Sequence, residues 1–419
     1  MEVFEHVILG GGVAAGHAAR EFVKRGVKPG QLALVSAEAS FCYERPPLSK
    51  ALLAGTKRPE ETLISPPRFY AENGIAFYHE WRAVGIDFGR RLMMNDQGET
   101  IGFRKLMLAT GSRVRNLAIA GADLLGVHYL RTLEDARAIV GALRDVRRMV
   151  VIGGGFIGAE VAAQTARRGI NTTLVAATDH LWPGHFTPEI SAFFKGYFQS
   201  NGIHLIFSAR PAALHGPEHV TRVTLETGQS LPAEMVVVGI GVVPELELYR
   251  QTGLQLDAGV LANQFLETNI PDVWAVGDIC QYEDVLFGKR RRIEHWDNAK
   301  SQGEHAARAM LGRREPFIHV PYFFSDVFDL SWEFWGDTEE ADRVLYRGDL
   351  GRGGISAWWL RGDQVHAAFV MNRPDEERRA APMLIAHGTP INAECIANME
   401  IPPAQWTPAQ NCETGPSLA

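Results

Sequence analysis

Residues 5–24 read EHVILGGGVAAGHAAREFVK, and this stretch decides the fold of the chain. Residues 5–9 form a short apolar run typical of a β-strand, the glycines at 10–12 interrupt it, and residues 13–24 are predicted to form a helix. A second strand is predicted at residues 32–35. The stretch therefore predicts one strand–helix–strand unit, the building block of a parallel sheet.

The glycines of this unit have the spacing of a dinucleotide-binding turn. In Gly10-x-Gly12-x-x-Ala15 the first glycine permits a tight turn, the second lets a pyrophosphate approach the backbone, and the small Ala15 lets the helix pack on the strand. The helix N-terminus adds a partial positive charge that favours phosphate. Glu38 follows the second strand, where it is placed to accept hydrogen bonds from a ribose hydroxyl. The predicted phosphate contacts are Gly10, Gly12, Val13, Ala14 and Ala15.

A second strand–helix–strand unit is predicted at residues 149–175. Its predicted elements are a strand at 149–152, a helix at 156–168 and a strand at 172–175. Its fingerprint, Gly153-x-Gly155-x-x-Gly158, has glycine at all three positions. The predicted contacts of this turn are Gly153, Gly155, Phe156, Ile157 and Gly158. Two fingerprints imply two bound dinucleotides.

The end of the second unit's last strand bears on the choice of nucleotide. Residues 176–178 separate the strand from Asp179, although NAD-binding proteins tend to carry an acid directly at the strand end. No arginine cluster follows that would hold a 2′-phosphate, and the basic residue there is His180. NADH is therefore favoured, with NADPH as the alternative.

Two nucleotide sites in one chain indicate an oxidoreductase. One site would hold a resident flavin and the other a transient nicotinamide, so that a hydride passes between them. The run Val273-Trp-Ala-Val-Gly277-Asp278 supports this, because a strand ending in Gly-Asp can direct a carboxylate at a ribityl hydroxyl of a flavin. The alternative role for Asp278 is the N-cap of a following helix.

Composition excludes several other classes of protein. The length of 419 residues corresponds to two or three domains, and shares of 46% hydrophobic and 22% charged residues are those of a globular chain. The formal net charge of −7 gives no reason to expect a nucleic-acid partner. The apolar runs are far shorter than the roughly 20 residues that a membrane-spanning helix needs.

The cysteines and the first apolar run bear on metal binding and location. The four cysteines are widely spaced and form no Cys-x-x-Cys pair, so neither a zinc site nor a redox dithiol is expected. Glu2 and Glu5 flank the first apolar run, which is therefore not expected to be a signal peptide. A cytoplasmic location is expected.

The predicted fold class is α/β, with two Rossmann-like dinucleotide-binding domains and a smaller α+β C-terminal domain. Further predicted elements are interior strands at 106–109 and 235–238, a helix at 298–311, a basic loop at 289–292, and an antiparallel strand pair around 357–360 and 365–370. The predicted domains are an FAD-binding domain at 1–110 and 242–319, an NAD(P)H-binding domain at 111–241, and a C-terminal domain at 320–419 with an irregular tail from about residue 402.

Four further motifs carry a resemblance to a known family. They are Glu44-Arg-Pro-Pro-Leu-Ser-Lys50, Ala109-Thr-Gly111, Thr268-x-x-Pro-Asp-Val-Trp-Ala-Val-Gly-Asp278 and Arg292-x-Glu294-His-Trp296. With the two fingerprints, they make the chain resemble the two-dinucleotide FAD reductases of the glutathione reductase type. Within that class it is similar to the subgroup of monodehydroascorbate reductases and oxygenase-linked ferredoxin reductases, which lacks the redox-active disulfide. The resemblance extends to about residue 370.

The resemblance implies roles for individual residues. Lys50 is implied to lie beside the flavin ring and to pair with Glu160, and Trp296 is implied to border the flavin; these are the predicted catalytic residues. A cation at that place would stabilise the anionic reduced ring. The other implied FAD contacts are Arg45, Val84, Thr110, Gly111, Arg131, Gly277, Asp278 and Trp358. The implied contacts of the nicotinamide nucleotide are Glu160, Gly241, Glu294 and His295.

The sequence leaves the electron acceptor open between two classes. Residues 13–22 and 328–337 are more similar to monodehydroascorbate reductases, which predicts single-electron transfer to a small organic radical. Two departures oppose this, since Asp326 stands where that family has an arginine for the anionic radical, and Trp358 stands where it has a tyrosine. A carboxylate repels an anion. The alternative is an NADH-dependent ferredoxin reductase that would dock an acidic [2Fe-2S] ferredoxin on residues 289–292.

Two further alternatives depend on other features. A non-enzymatic redox sensor that resembles apoptosis-inducing factor would bind NADH and form a long-lived charge-transfer complex. A single-cysteine NADH peroxidase would use Cys42, because related peroxidases carry a redox thiol at this point, whereas residues 43–50 fit the thiol-free subgroup. The sequence does not define an oligomeric state.

Overall fold

The computed structural model describes residues 1–406, which form two compact units. The first unit comprises residues 1–115, 130–141 and 241–319, and the second comprises residues 116–129, 142–240 and those from 320 onward. The three-domain division stays a prediction. The tail predicted from about residue 402 lies outside the described residues beyond Trp406, and Pro403–Gln405 forms a 3-10 turn.

The strands and helices are numbered in chain order. The strands are β1 (Glu2–Leu9), β2 (Leu32–Val35), β3 (Ala76–Tyr78), β4 (Ala83–Asp87), β5 (Leu92–Asn95), β6 (Thr100–Leu108), β7 (Ser112–Val114), β8 (Val127–Tyr129), β9 (Arg148–Ile152), β10 (Asn171–Val175), β11 (His204–Ile206), β12 (Pro211–His215), β13 (Arg222–Leu225), β14 (Ser230–Pro232), β15 (Met235–Val238), β16 (Val242–Pro244), β17 (Val260–Leu261), β18 (Val273–Ala275), β19 (Cys280–Asp284), β20 (Lys289–Arg291), β21 (Tyr322–Val327), β22 (Leu330–Gly336), β23 (Arg343–Asp349), β24 (Gly354–Arg361) and β25 (Gln364–Met371). The helices are α1 (Val13–Lys24), α2 (Ala51–Ala54), α3 (Pro67–Glu72), α4 (Leu133–Ala142), α5 (Phe156–Arg167), α6 (Pro188–Ser200), α7 (Trp296–Met310), α8 (Asp375–His387) and α9 (Glu394–Ala397).

A seven-stranded sheet forms the core of the first unit. Its order is β3-β2-β1-β6-β5-β4, and β18 also pairs with β6. Strands β1, β2, β3, β6 and β18 run parallel, whereas β4 and β5 are antiparallel. Parallel strands end at the same edge of a sheet, which is where ligands bind in this class of fold. The residues that follow β1, β6 and β18 are therefore brought together, and they include Gly10, Thr110 and Gly277.

The second unit contains a parallel sheet and two antiparallel sheets. The parallel sheet has the order β11-β10-β9-β15-β8, and the second glycine turn follows β9 at its centre. One antiparallel sheet has the order β12-β13-β14. The other, from the C-terminal part of the chain, has the order β21-β22-β25-β24-β23. Val150 of β9 and Val236 of β15 belong to a buried core that also contains Leu214, Val223 and Leu231 of the β12-β13-β14 sheet.

Most of the predicted elements are confirmed. Helix α1 and strands β2 and β15 have the predicted bounds, and α5 ends one residue earlier than predicted. The predicted strand pair at the C-terminal end of the chain is β24 with β25, which are antiparallel. Within residues 1–406, no helix combines the length and the apolar character needed to cross a bilayer.

The predicted basic loop at residues 289–292 is wrong, because Lys289–Arg291 is strand β20. It pairs in antiparallel register with β19, so that Glu283 lies opposite Arg290 and Asp284 lies opposite Lys289. Opposite charges across a strand pair stabilise a sheet. A local count of charges predicts a solvated loop here because it does not reveal the acidic strand that precedes it.

Candidate cofactor sites

The first glycine turn leaves an open cradle at the start of α1. Gly10 has a φ of +130°, and a Cβ on it would lie 2.1 Å from the carbonyl oxygen of Ala109, so this position requires glycine. A Cβ on Gly12 would meet no atom within 4 Å, and no side chain caps the helix that follows. Open space therefore lies beside uncapped backbone N–H groups, an arrangement that fits a pyrophosphate.

The second glycine turn repeats this geometry in the other unit. Gly153 has a φ of +124°, and a Cβ on it would lie 2.1 Å from the carbonyl oxygen of Gly239. A Cβ on Gly155 would likewise meet no atom within 4 Å, and α5 begins without a side-chain cap. A Cβ on Gly158 would lie 1.9 Å from the Gly153 carbonyl oxygen, so this helix cannot carry the alanine that the first turn has at Ala15. The structure thus contains two cradles that fit two dinucleotides.

Four of the predicted FAD residues form one hydrogen-bonded group in the first unit. Arg45 Nη2 donates to Glu38 Oε1 at 2.7 Å, and Arg131 Nη2 donates to Asp278 Oδ2 at 2.8 Å. Arg45 Nη1 also donates to the carbonyl oxygen of Arg131, which joins the two ion pairs. Both oxygens of a carboxylate can accept more than one hydrogen bond, so Glu38 retains capacity for a ribose hydroxyl.

Tyr43 belongs to this group, and sequence reasoning missed it. Its hydroxyl donates to Glu38 Oε2 at 2.5 Å and accepts from the N–H of Leu133 at 3.0 Å. Burial raises the pKa of Tyr43 above its ordinary value, so the hydroxyl keeps the proton that it donates. No spacing rule marks an aromatic residue in the loop after a strand, which is why the sequence gives no signal for it.

The structure opposes the N-cap alternative for Asp278, and its role as a flavin ligand stays a prediction. Gly277–Ile279 forms a short 3-10 turn that leads into strand β19, so no α-helix follows for Asp278 to cap. Its carboxylate instead pairs with Arg131. The Gly277 N–H donates to Gln302 Oε1 at 2.8 Å, which holds the turn against α7.

The start of α7 carries three further predicted residues. His295 caps the helix, because its Nδ1 accepts from the N–H of Asp297 at 3.4 Å. Glu294 Oε1 lies 2.5 Å from the guanidinium of Arg292. Trp296 is the first residue of the helix and is half-buried. The caps and pairs therefore fix the backbone at the end of the helix where the flavin is predicted.

The Trp296 side chain has partners that the sequence did not predict as site residues. Its Nε1 donates to Glu44 Oε2, and His17 Nε2 lies 3.1 Å from Glu44 Oε1. Glu44 and His17 stand in motifs used above for the family resemblance, but neither had a role assigned. A motif search marks their positions and does not reveal that three distant segments meet.

The remaining residues predicted in the first unit lie as follows. Thr110 Oγ1 and the Tyr249 hydroxyl are hydrogen-bonded at 3.0 Å, and Val84 on β4 is 50% exposed. Lys50 directly precedes α2 and is half-buried. Gly111 and Gly241 have positive φ angles, and a Cβ on Gly241 would meet no atom within 4 Å.

The second unit holds Glu160 and the aromatic start of α5. Glu160 is buried, and its Oε1 accepts from Ser325 Oγ of β21 at 2.7 Å. Phe156 packs its ring 5.5 Å from that of His185 and 6.2 Å from that of Phe323. The next residue of the fingerprint, Ile157, is half-buried. Lys50 belongs to the other unit, and its pairing with Glu160 stays a prediction.

Trp358 lies inside the C-terminal sheet. None of its surface is exposed, and its Nε1 donates to Ser356 Oγ at 2.9 Å. Its ring packs edge-on against that of Trp406, with centroids 4.8 Å apart and planes at 86°. Contact between the Trp358 side chain and a cofactor stays a prediction, and this complete burial argues against it.

Asp179, the acidic residue that follows β10, lies four residues beyond the end of this strand. Asp179 Oδ1 lies 2.5 Å from His180 Nδ1, and 80% of the Asp179 side chain is exposed. An exposed carboxylate suits a ribose hydroxyl and repels a 2′-phosphate. The preference for NADH over NADPH stays a prediction.

Cys42 does not have the surroundings of a working thiol. Its side chain is fully buried, and burial raises the pKa of the thiol to about 12. Redox-active cysteines react as thiolates and lie in exposed, electropositive surroundings. The structure therefore opposes the single-cysteine peroxidase alternative.

Arg290 and Arg291 of β20, and Arg292 after it, form ion pairs within the first unit. Arg290 pairs with Glu283 at 2.5 Å, Arg291 pairs with Asp284 at 3.2 Å, and Arg292 pairs with Glu294. These contacts neutralise charge that a docking partner would otherwise meet.

Among residues 1–406, no group of three or more His, Cys, Asp or Glu side chains is arranged to hold a metal ion.

Comparison with known proteins places two family models on the chain. Residues 4–303 match the pyridine nucleotide-disulphide oxidoreductase model, and residues 322–403 match the reductase C-terminal model. A protein of Pisum sativum named monodehydroascorbate reductase is 34% identical over 90% of this chain and 93% of its own. The seedling isozyme of monodehydroascorbate reductase from Cucumis sativus is 35% identical, again over 90% of this chain and 93% of its own.

Two solved structures resemble the fold closely. One is the covalent putidaredoxin reductase–putidaredoxin complex, with a TM-score of 0.91, 31% identity, and coverage of 96% of this chain and 97% of the other. The second is the ferredoxin reductase for the CYP199A2 system from Rhodopseudomonas palustris, also with a TM-score of 0.91 and 31% identity, covering 96% of this chain and 99% of the other. These matches extend through both units.

Proposed function

The chain belongs to the pyridine nucleotide-disulphide oxidoreductase family, and we propose that it uses NADH to reduce the monodehydroascorbate radical. It is an FAD-dependent NAD(P)H oxidoreductase with a reductase C-terminal domain. Bound FAD would accept a hydride from the nicotinamide and release electrons one at a time. The residues of this chain bind, orient and shield the two nucleotides.

The FAD site proposed in the first unit consists of the first glycine cradle and the groups around it. The uncapped start of α1 would hold the pyrophosphate, and Glu38 would hold the ribose. Arg45 lies in an ion pair beside these groups and would add positive charge near the phosphates. The start of α7, with its partial positive charge, would face the anionic part of the reduced ring.

The nicotinamide site proposed in the second unit uses the other cradle. The start of α5 would hold the pyrophosphate of NADH, and Phe156 would lie beside it with its ring packed among other aromatic residues. The buried Glu160 lies one helical turn further along α5. Cys42 is fully buried and its thiol pKa is raised to about 12, which supports electron transfer directly from the flavin to the acceptor.

The observation that carries the choice of acceptor is the identity of 34–35% with proteins named monodehydroascorbate reductase, over 90% of this chain. The paired arginines of residues 290–292 further reduce the argument for docking an acidic protein. A cytoplasmic location is part of the proposal and rests on the sequence reasoning alone.

A second candidate is reduction of a [2Fe-2S] ferredoxin, which the two solved structures with a TM-score of 0.91 favour. Asp326, where monodehydroascorbate reductases carry an arginine, also favours this candidate. It stands on β21 opposite Ser331 and is half-buried.

The deciding experiment follows NADH oxidation by the purified, FAD-replete protein. One arm supplies monodehydroascorbate generated by ascorbate oxidase, one supplies a [2Fe-2S] ferredoxin with cytochrome c as final acceptor, and one supplies ferricyanide as a control for flavin reduction. Fast turnover with the radical supports the proposal. Turnover with ferricyanide and ferredoxin, but not with the radical, would replace it with the second candidate.

A further inference from the structure

Three segments that are distant in the sequence meet at Glu44. His17 lies on α1, Glu44 precedes the Arg-Pro-Pro run, and Trp296 is the first residue of α7. His17 Nε2 lies 3.1 Å from Glu44 Oε1, and Trp296 Nε1 donates to Glu44 Oε2. All three belong to the first unit. One carboxylate therefore joins the phosphate-binding helix to the indole that is predicted to border the flavin.

The two contacts use both oxygens of Glu44. An ionised carboxylate only accepts hydrogen bonds, so His17 Nε2 and Trp296 Nε1 must both act as donors. The His17 side chain is only 7% exposed, so water competes little at His17, whereas the Glu44 side chain is 28% exposed and partly solvated. Hydrogen bonds to a charged acceptor are stronger than neutral ones.

Other charged groups lie around this bridge. Glu304 Oε1 of α7 is 3.7 Å from His17 Nδ1, and Lys300 Nζ lies 5.3 Å from the centre of a Trp296 ring. Both lie on α7, one and two turns after Trp296. They surround the bridge with both signs of charge, and the indole N–H donates its direct hydrogen bond to Glu44.

The bridge is not needed to hold the two helices together. α1 and α7 already pack by backbone, because a Cβ on Gly303 would lie 2.2 Å from the Ala14 carbonyl oxygen. That contact lies two turns from Trp296 and does not itself set the rotation of the Trp296 side chain. The Glu44 bond acts on that rotation, because it fixes the direction of Nε1.

We propose that Glu44 is a positioning residue that fixes the Trp296 indole at the FAD site, and that His17 holds Glu44 in place. This inference rests on the proposed function, because it takes the start of α7 to border the flavin. It gives a role to His17 and to Glu44, the first residue of the Glu44–Lys50 motif. Neither residue is among the proposed phosphate contacts.

The test is a double-mutant cycle on Glu44→Gln and Trp296→Phe. Glutamine keeps the shape of glutamate but removes the negative charge, so the hydrogen bond from the indole N–H loses its charged acceptor and is weakened. Phenylalanine keeps an aromatic ring but removes the N–H. The measurements are the Kd of the apoprotein for FAD, by titration, and the visible circular dichroism of the bound flavin, which reports the asymmetry of its surroundings.

Each single variant is expected to weaken FAD binding about tenfold and to change the visible dichroism. The double variant is expected to be no worse than Trp296→Phe alone, because Glu44 acts through the indole N–H. Glu267→Gln is the matched control, since this carboxylate is 26% exposed, close to the 28% of Glu44, and accepts hydrogen bonds from Arg314 and Asn263 outside the site. It should leave both measurements unchanged.

A second arm tests His17 and remains decisive if Glu44→Gln does not fold. His17→Gln keeps an N–H donor at a similar reach and should retain wild-type FAD affinity, whereas His17→Leu should reproduce the loss caused by Glu44→Gln. Equal affinity in His17→Leu and wild type, or additive losses in the double-mutant cycle, would overturn the inference. If the wild-type protein itself bound no FAD, the proposed function would fail instead, so the two failures can be told apart.

Discussion

Gly303 of α7 and Ala14 of α1 are in backbone contact, since a Cβ on Gly303 would lie 2.2 Å from the Ala14 carbonyl oxygen. Ala14 stands in the first turn of α1, where the pyrophosphate is proposed to bind, and Gly303 stands in the helix that begins at Trp296. Only glycine permits this approach. The close packing of the pyrophosphate cradle against the helix predicted to border the flavin therefore requires that residue 303 has no Cβ.

Gly303→Ala is expected to push α7 away from α1 and to lower both FAD content and stability. Overpacking of this kind costs about 1–3 kcal/mol. Thermal unfolding and the ratio of flavin to protein absorbance measure the two effects. Gly196→Ala in the middle of α6 is the matched control, because a Cβ there meets no atom within 4 Å. Alanine should stabilise that helix slightly, and a similar loss in both variants would contradict the explanation.

Gly12→Ala and Gly155→Ala are expected to separate the two nucleotide sites. Both positions have open space, so the fold should tolerate alanine, but the methyl group would occupy the room of a phosphate. Gly12→Ala should weaken FAD binding by at least about tenfold and Gly155→Ala should raise KM for NADH by a similar factor. FAD titration and steady-state kinetics check this. An effect of Gly155→Ala on FAD content alone would exchange the two assignments.

Cys42→Ala is expected to keep turnover with ferricyanide within about twofold of wild type. The thiol is fully buried and its pKa is raised to about 12 by burial, so it remains protonated at neutral pH. Activity per bound FAD is the quantity to compare. Loss of most of this activity, with FAD content and thermal stability preserved, would restore the redox role for Cys42.

Asp326→Arg is expected to raise kcat/KM for the monodehydroascorbate radical about tenfold, because it replaces a repulsive charge by an attractive one. The side chain is half-buried on β21, so the charge is only partly screened by solvent. The ferricyanide rate serves as the control for flavin reduction. If both rates rose together, the change would have acted on an earlier step and not on the acceptor.

His6 is expected to make the protein less stable in weak acid. Burial, with a smaller contribution from Lys105, lowers the pKa of His6 from 6.5 to about 4 in the folded state. Between these values the unfolded chain binds the proton and the folded chain does not, so stability falls as pH decreases from 6.5 to about 4. The loss of Tm between pH 7.5 and 5 should therefore be smaller in His6→Leu than in wild type. Replacement of the exposed His204 by leucine provides the comparison, and an equal change there would remove the explanation.

The fold could be predicted from the sequence where local signals were strong. Gly10 and Gly153 stop their strands because each needs a positive φ, and the alanine-rich stretches after them have few alternatives to helix. These rules act over a few residues, so α1 and α5 were placed to within one residue. The positions of the two glycine fingerprints relative to these helices are predicted by the same local rules.

Contacts between distant segments could not be predicted in the same way. Glu44 and Trp296 are 252 residues apart, and no periodicity joins them. The sequence predicts a loop at β20 because its residues are basic. The acidic residues of β19 that stabilise it as a strand become its neighbours only when the two segments pair. The sequence also does not determine which side chains of β24 lie on which side of the sheet, since neighbouring residues of a strand point to opposite sides. Trp358 packs on Trp406, whereas Trp359 packs on Phe334.

The edge-on pair of Trp358 and Trp406 gives the protein an optical signature of its own. Indole rings 4.8 Å apart, with planes at 86°, couple their electronic transitions, and coupled transitions in a fixed chiral arrangement produce a pair of far-ultraviolet dichroism bands of opposite sign. Trp182 and Trp332 form a second edge-on pair, 5.4 Å apart with planes at 82°, so release of Trp406 removes only the contribution of the first pair. The difference between the spectra of the wild type and of Trp406→Phe therefore follows the attachment of residue 406 to the C-terminal sheet without any added label.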